Sequence, residues 1–462
     1  MASESLTDNE GLVHGEFGSQ ITGGDGVAER ERPQREGGAA MKVAYIMSRF
    51  PNLTETFVLY EIVALERMGV SVEVHPLLRT RQEVVHEEAR RLAGTAHYRP
   101  FLSVPILVSN LRSLLRRPRR YLGALVEALR GTFGSANFFV GALGIFPKSV
   151  AAAEAMRRSG VRHVHAHFAN HPALAALIIH RLTDIPFSFT AHGHDVHVER
   201  RMLGHKIASS SFAVAISEHN RRLMIEECPG HPERVVLLHC GADTDRFVPV
   251  ERAPRIGRVL TLITLGALIE VKGHRVLVEA LRLLRERGIE IRAYFLGEGD
   301  QRSALEAQIE AAGLTQQVHL LGATDRAGVV DRMREADVVV QPSVPTARGS
   351  REGIPVSLME GMAAGLPVVA SRLSGIPELV VDDVTGILTP PGDTEALAGA
   401  LERLHREPAT RTSFGERGRE RVLEHFNLER NAARLLRMFE EGTCRMSGEE
   451  VQPPRPREGA RA

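Results

Sequence analysis

Short apolar runs alternate with longer amphipathic stretches through most of the chain. The runs are bounded by glycine, proline or small polar residues, the pattern of buried strands, and they include residues 42–46, 186–190, 260–265, 338–340 and 368–371. The stretches between them carry apolar residues at helical spacing, as over 275–287, 303–312 and 326–336. This alternation in both halves predicts an α/β protein with two doubly wound parallel-sheet (Rossmann-like) domains facing each other across a cleft.

The length of 462 residues also predicts more than one domain, because single hydrophobic cores rarely grow beyond roughly 250–300 residues. Both ends of the chain are poor in large apolar side chains, which predicts disordered tails. The predicted division is a tail over 1–40, domains over 41–250 and 256–410, a helical segment over 411–440 and a second tail over 447–462.

Composition narrows the class of protein. The chain is 43% apolar and 25% charged with a net charge of +1, so it is of the soluble globular type and no nucleic-acid partner is indicated. Its cysteines, Cys228, Cys240 and Cys444, form no metal pattern. We find neither an apolar run of the roughly 18–20 residues that span a membrane nor a signal peptide, and expect a cytoplasmic protein.

One segment has an unusual charge pattern. No acidic residue occurs from Ala89 to Val126, and arginines between Arg112 and Arg120 interleave with leucines. A basic amphipathic segment of this kind can lie on an anionic membrane surface, and the protein would then be peripheral at the inner face of the cell membrane. The alternative is a helix face that is simply solvated.

Two glutamates flank a predicted helix start in the second half. A buried strand over 338–340 is followed by a loop with Glu352, and a helix starting near Pro355 carries Glu360 in its second turn. Unpaired N–H groups and the helix dipole make such a start an anion site. A sugar nucleotide has the matching form, a diphosphate between two sets of hydroxyls. The alternative is that both glutamates are surface charges.

The whole stretch from Arg351 to Pro367 resembles the retaining glycosyltransferases of family 4, whose signature is two glutamates separated by seven residues. The resemblance covers roughly residues 41–440 and implies the GT-B architecture, with a last helix that crosses back to the first domain. It implies that Glu352 contacts the sugar of the donor and Glu360 its ribose. The residues at the intervening helix start would also bind the donor, namely Gly353, Ile354, Pro355 and Val356.

The resemblance extends to other glycine-containing turns. Family members carry Gly-Arg-Leu-x-x-x-Lys-Gly, in which arginine and lysine clamp the donor diphosphate. Here Gly266 and Lys272 match, but Ala267 replaces the arginine. The loss implies weak catalysis, a different donor, or compensation by Arg348 or Arg351; we favour compensation. Two further glycines are expected beside the nucleotide, Gly297 and Gly322.

Histidines cluster after two predicted strands of the first half. By resemblance, His192 would contact the donor sugar at its reacting face. A metal site using His192, His194 and His197 with Asp195 is the rival, but the sequence shows no closed ligand pattern. His165 and His167 are expected to be structural or acceptor-side. Two residues that precede or begin a helix, Glu55 and Thr56, are further acceptor-side candidates, or only cap that helix.

The resemblance therefore implies transfer of a sugar from a UDP-, GDP- or ADP-sugar to a saccharide or lipid-linked acceptor, in exopolysaccharide or cell-envelope glycan synthesis. It implies a retaining reaction with no cofactor and no metal, because Lys272 and the helix start would neutralise the diphosphate. A sugar-nucleotide epimerase and a non-catalytic sugar-nucleotide-binding protein remain as alternatives, the second because of Ala267.

Overall fold

The computed structural model of the chain describes residues 40–51, 56–80, 87–101, 103–250 and 259–447. The fold and the site concern these residues. Almost all of both predicted tails lies outside them, and so does Glu55.

The first half of the chain forms a parallel sheet of six strands in the order β2-β1-β3-β4-β5-β6. These strands are β1 Lys42–Phe50, β2 Ser71–Arg79, β3 His163–His167, β4 Phe187–Ala191, β5 Phe212–Ala215 and β6 Val235–Leu237. The second half forms another parallel sheet of six strands, in the order β12-β11-β10-β7-β8-β9. Its strands are β7 Leu260–Leu265, β8 Ile291–Leu296, β9 Val318–Gly322, β10 Val338–Gln341, β11 Val368–Ser371 and β12 Gly386–Thr389.

Helices connect successive strands, as parallel pairing requires. The helices of the first half are α1 Thr56–Arg67, α2 Glu87–Thr95, α3 Val104–Arg116, α4 Pro118–Thr132, α5 Ala136–Ser159, α6 His171–Thr183, α7 Gly193–His197, α8 Leu203–Ser209 and α9 Glu218–Glu227. Those of the second half are α10 His274–Glu286, α11 Arg302–Ala311, α12 Arg326–Glu335, α13 Val356–Ala363, α14 Ile376–Leu379, α15 Thr394–Arg406, α16 Pro408–His425 and α17 Leu428–Ser447.

Hydrophobic side chains cover both faces of each sheet. Every residue of β7 and of β10 is buried, as expected for strands of a parallel sheet that is covered on both sides. Each sheet packs against two separate clusters of buried apolar residues. The predicted fold class, two doubly wound parallel sheets, is confirmed.

The C-terminal segment returns to the first sheet. Leu435 and Phe439 of α17 pack in the same cluster as Tyr45 of β1. The single helix predicted over 411–440 is instead two, α16 and α17. It breaks because the backbone beside Asn427 pairs with Ala242, whose N–H donates to the carbonyl of Phe426 and whose carbonyl accepts from the Leu428 N–H.

One described helix, α5, is long and apolar enough to cross a membrane by length and composition, with a mean hydropathy of 1.3. Our expectation that no segment meets that criterion was wrong. Half of the apolar window is buried in the protein, and Ala142, Phe146 and Ala153 belong to the core beside α6. A core helix of this kind meets the same criterion as a membrane span.

A carboxylate of the second half caps a helix of the first. Glu378 accepts hydrogen bonds from the N–H groups of Glu218 (2.7 Å) and His219 (2.9 Å) at the start of α9. Ser217 is the N-cap residue of this helix, and its side chain accepts from the Asn220 N–H at 3.0 Å. These N–H groups have no partner within the helix, so Glu378 ties the two halves together through a charge-assisted cap.

We therefore expect Glu378→Ala to lower the free energy of unfolding by about 1 kcal/mol, the usual effect of losing a helix cap. Urea denaturation followed by circular dichroism measures this loss. Glu416→Ala, at an exposed position of α16, is the control and should unfold like the wild type. Equal stability of the two variants would contradict a role for Glu378 in joining the halves.

Candidate active site

A cleft of about 660 Å³ lies between the two sheets. Its walls are formed by residues that follow the carboxyl ends of strands in both halves of the chain. The order of the second sheet reverses between β7 and β10, and that of the first between β1 and β3. In doubly wound sheets the crevice at such a reversal is the usual ligand site.

Two glycines, Gly266 after β7 and Gly297 after β8, line one wall of the cleft. Gly266 has φ +140° and Gly297 has φ +151°, values that favour glycine. A Cβ on Gly297 would lie 1.9 Å from the carbonyl oxygen of Gly266, so no other residue fits there without backbone movement. Gly322 does not line the cleft but bridges to Gly297, and the next residues, Ala323 and Thr324, do line it.

Lys272 and Glu352 form an ion pair on this wall. Lys272 Nζ lies 2.9 Å from Glu352 Oε2, with both side chains less than one-fifth exposed. The contact lacks hydrogen-bond alignment, and Oε2 has no hydrogen-bond partner among the described residues. An ammonium group has three N–H donors, so Lys272 retains donors for an anion in the cleft.

Helix α13 points its N-terminus into the cleft. Pro355 is the N-cap residue and the helix begins at Val356, next to the predicted start near Pro355. The segment Gly353–Val356 lines the cleft together with Glu352 and Glu360. The predicted arrangement of two glutamates on either side of a helix start is therefore present, and it supplies unpaired N–H groups to an anion.

Glu360, in the second turn of α13, lines the same wall and is half-buried. Burial raises the pKa of its carboxyl to about 7; the nearby Arg326 guanidinium opposes that rise and the Asp243 carboxylate adds to it. Glu360 consequently titrates near neutral pH. When ionised, it can accept hydrogen bonds from hydroxyl groups.

His192 lies on the opposite wall, directly after β4. It is 6% exposed, and the rings of Phe57 and Phe168 lie 4.7 Å from its ring, centroid to centroid. Its backbone N–H donates to Asp195 Oδ1 at 2.8 Å. Burial lowers the pKa of His192 well below its usual range, so the imidazole is neutral at neutral pH.

Of the other residues expected on this wall, Thr56 lines the cleft and His167 does not. Thr56 lines the cleft at the start of α1, whereas Glu55 lies outside the described residues. His167 does not line the cleft but lies behind His192, 1% exposed, with its Nδ1 3.2 Å from His192 Nε2. His165 is fully buried and bonded to Ser188 and Thr190, which fits the structural one of the two roles expected of it.

The two walls touch where Gly193 faces the loop before α13. A Cβ on Gly193 would lie 2.7 Å from the carbonyl oxygen of Arg351 and 3.3 Å from the Gly353 nitrogen. The absence of a side chain at residue 193 therefore lets the loop that carries Glu352 approach the segment that carries His192.

Comparison with known proteins agrees with this geometry. The sequence signature described as "Glycosyl transferases group 1" matches residues 252–421. Salmonella typhimurium WcaL, named as a colanic acid biosynthesis glycosyltransferase, is 31% identical over 86% of this chain and 99% of its own. Erwinia amylovora AmsK, named as an amylovoran biosynthesis glycosyltransferase, is 28% identical over 84% of this chain and 96% of its own.

The chain belongs to the group 1 glycosyltransferase family. Its fold is also that of HepE from Anabaena, whose crystal structure contains UDP-glucose; the two match with a TM-score of 0.65 at 17% identity, over 87% of this chain and 100% of HepE. The fold is therefore GT-B. The epimerase alternative has no support among these relatives.

The glycosyltransferase has a buried arginine in its cleft that the sequence analysis missed. Arg326, with a side chain 9% exposed, lies 3.2 Å from Asp243 Oδ2, and its Cζ lies 3.5 Å from the centre of the Tyr60 ring. It begins α12, where a cation faces the unfavourable end of the helix dipole. A cation in this unfavourable position of a predicted helix is the signal in the sequence by which Arg326 could have been identified.

Arg326 changes the account of the missing arginine at Ala267. Arg326 Nε has no hydrogen-bond partner among the described residues, and Arg326 lines the cleft with Glu360 and Ala267. Arg351 lines the cleft and its side chain is exposed, while Arg348 lies outside the lining residues. Of the two arginines expected to compensate, Arg351 lines the cleft and Arg348 does not, and the structure adds Arg326 as a second candidate.

The proposed metal pattern around His192 gains no support. Of its members, the His194 side chain is not described, and Asp195 accepts from the backbone N–H groups of Ala169 and His192. Two other groups of potential ligands lie together among the described residues, Glu61 with His165 and His167, and Glu73 with His75 and His97. Both contain histidine nitrogens already bonded to protein groups.

The raised pKa of Glu360 makes a testable prediction about stability. At pH values between the ordinary pKa of 4.5 and the raised pKa of about 7, Glu360 is protonated in the folded state and ionised in the unfolded state. The free energy of unfolding of the wild type should therefore fall, relative to Glu360→Gln, as pH rises through this window. Urea denaturation of both proteins at pH 5, 6, 7 and 8 measures the difference.

Arg326→Gln provides the second arm of that experiment. Removing the nearby guanidinium should raise the Glu360 pKa further and move the pH window upward. A difference between wild type and Glu360→Gln that does not change with pH would show that Glu360 is not perturbed.

Proposed function

We propose that this glycosyltransferase moves a sugar from a nucleotide diphosphate donor to an acceptor hydroxyl, with retention of the anomeric configuration. The observation that carries the proposal is the meeting of Lys272, Glu352 and the N-terminus of α13 on one wall, with His192 on the other. In a bound sugar nucleotide, Lys272 and the helix start would contact the diphosphate, Glu352 and His192 the sugar, and Glu360 the ribose.

The diphosphate would lie between the Lys272 ammonium and the first N–H groups of α13. In the reaction the bond from the anomeric carbon to the diphosphate breaks, and a bond from that carbon to the acceptor oxygen forms. Negative charge builds up on the departing phosphate oxygen, which takes the proton of the acceptor hydroxyl. Hydrogen-bond donors already in place at the diphosphate stabilise that charge as it develops.

The two glutamates would bind the two ends of the donor. Glu360, in the second turn of α13, accepts from ribose hydroxyls once it is ionised. Glu352 faces the sugar. Its carboxylate lies beside the diphosphate, and the ion pair with Lys272 neutralises its negative charge there. With Lys272, Arg326 and the helix start as the positive groups, the reaction needs no metal and no cofactor.

A screen of sugar nucleotides tests the proposal. UDP-glucose, GDP-mannose and ADP-glucose would be compared by thermal shift at equal concentration, since a ligand that binds more tightly raises the melting temperature more, with the logarithm of its concentration over its Kd. We expect the sugar nucleotide of one base to stabilise the protein with EDTA present. Lys272→Ala should weaken the affinity for that sugar nucleotide about tenfold or more. Arg275→Ala, an exposed residue of the following helix, is the matched control.

Turnover distinguishes the enzyme from a binding protein. The product formed with a saccharide acceptor should carry the anomeric configuration of the donor, as measured by NMR. Binding without turnover on saccharide or lipid-linked acceptors would favour the non-catalytic alternative, and loss of turnover in EDTA would contradict the metal-independent reaction. Arg351→Ala and Arg326→Gln would show by their Michaelis constants for the donor which arginine substitutes for the one missing at Ala267.

We further propose a lipid-linked acceptor, taken while the enzyme lies on an anionic membrane surface from the cytoplasmic side. The support comes from α3 and α4, which expose apolar side chains to solvent. Leu107, Leu111 and Leu115 on α3 are 57%, 58% and 72% exposed, and Leu122 on α4 is 50% exposed. An apolar face flanked by cations is the form of an interfacial helix.

The arginines of this surface contribute unequally. Arg112 pairs with Glu154 at 3.0 Å and Arg120 with Asp184 at 2.5 Å, so those two charges are already balanced within the protein. Arg116 and Arg119 are exposed and would meet anionic headgroups. The sequence pattern drew attention to the arginines, but the exposed leucines then form the larger part of the docking surface.

Vesicle binding tests the membrane proposal. At low salt the protein should sediment with vesicles containing phosphatidylglycerol and much less with pure phosphatidylcholine. Leu111→Ser with Leu115→Ser should reduce binding strongly, and Arg116→Gln with Arg119→Gln should remove its salt dependence. Leu423→Ser, at an exposed leucine of α16, is the control. Equal binding to both vesicle types, or to neither, would contradict the proposal.

A further inference from the structure

A buried chain of polar groups extends from His192 away from the cleft. His192 Nε2 lies 3.2 Å from His167 Nδ1, and His167 Nε2 lies 3.1 Å from Glu61 Oε1. The Tyr45 hydroxyl donates to the same Glu61 oxygen at 2.7 Å. The four residues come from β1, α1, the end of β3 and the loop after β4, so the tertiary fold alone brings them together.

The chemistry of these groups sets the direction of each hydrogen bond. An ionised carboxylate only accepts, so His167 must carry its proton on Nε2. In a neutral ring its Nδ1 is then an acceptor, and His192 must carry its own proton on Nε2 to donate to it. The Nδ1 of His192 is left without a proton and has no hydrogen-bond partner among the described residues.

The surroundings hold the His192 ring in one orientation. The rings of Phe57 and Phe168 pack against it, and Asn220 donates to its carbonyl oxygen at 3.3 Å. His165 does not compete for Glu61, because Ser188 and Thr190 bond to its two nitrogens. The tautomer of His192 is thus set by a carboxylate that itself never lines the cleft.

We propose that Glu61 is a positioning residue that acts through His167 to hold His192 as the Nε2–H tautomer, so that His192 Nδ1 accepts a hydrogen bond from a hydroxyl of the sugar in the cleft. The second clause rests on the function proposed above. The first concerns the unliganded protein alone and has its own test.

The test is nitrogen NMR of protein with ¹⁵N-labelled histidines, at pH 8, above the ordinary titration range of imidazole. Long-range ¹H–¹⁵N spectra distinguish the two tautomers, and His167→Gln and His192→Gln assign the signals. We expect Nε2–H at both residues in the wild type. In Glu61→Leu, which removes the acceptor at similar size, both should become mixtures of tautomers.

Activity provides the second readout. With the sugar nucleotide selected by the screen above, Glu61→Leu should lower kcat roughly tenfold or more and leave the KM for the donor within about threefold, because the sugar is bound but misoriented. Tyr45→Phe is the matched control. It removes one hydrogen bond from the same cluster without removing the acceptor, so tautomers and kcat should stay unchanged.

The outcomes separate the two proposals. A proton on Nδ1 of His192 in the wild type, or Nε2–H and kcat both unchanged in Glu61→Leu, would overturn the role of Glu61. A metal bound to Glu61, His165 and His167, detected by mass spectrometry of the purified protein, would overturn it as well. The expected tautomers without any sugar transfer would leave the role of Glu61 standing and reject the transferase function.

Discussion

The active site depends on the close approach of two backbone segments that lie far apart in sequence. Gly193 has no Cβ, so the Arg351–Gly353 loop packs directly on it, where any other residue would meet the Arg351 carbonyl oxygen at 2.7 Å. The contact sets Glu352 on one side of the cleft against His192 on the other. The Glu378 cap on α9 and the contact of Arg326 with Tyr60 hold the same two halves together elsewhere.

Charge inside the cleft is balanced before any ligand binds. Lys272 pairs with Glu352, and Arg326 pairs with Asp243 near Glu360. Unpaired charges would be costly in a half-buried cleft, and each pair lowers that cost without using every hydrogen-bond donor of its cation. Binding of a dianionic diphosphate can therefore proceed by rearranging existing partners, with no need to bury a new isolated cation.

Local signals in the sequence were sufficient to place the two glutamates of the second half around one helix start, although they did not reveal Arg326. The strand before residue 341, the loop with Glu352, Pro355 and the helix with Glu360 are contiguous, so spacing alone placed both glutamates around one helix start. Gly266 and Lys272, which follow a single buried strand, were assigned to the donor site by the resemblance to the family pattern. The break between α16 and α17 was missed because its cause, the pairing of Asn427 with Ala242, is a contact across 185 positions.

Apolar periodicity and turn residues were enough to predict the two doubly wound sheets and the residues at the carboxyl ends of their strands, because both signals are properties of neighbours along the chain. Three features of the site could be seen in the folded protein alone: Arg326 enters the cleft, His167 lies behind His192, and Glu61 reaches His167. Those three facts depend on how separate helices and strands pack. Packing brings together side chains that are far apart in the sequence, where no regular spacing indicates that they will meet.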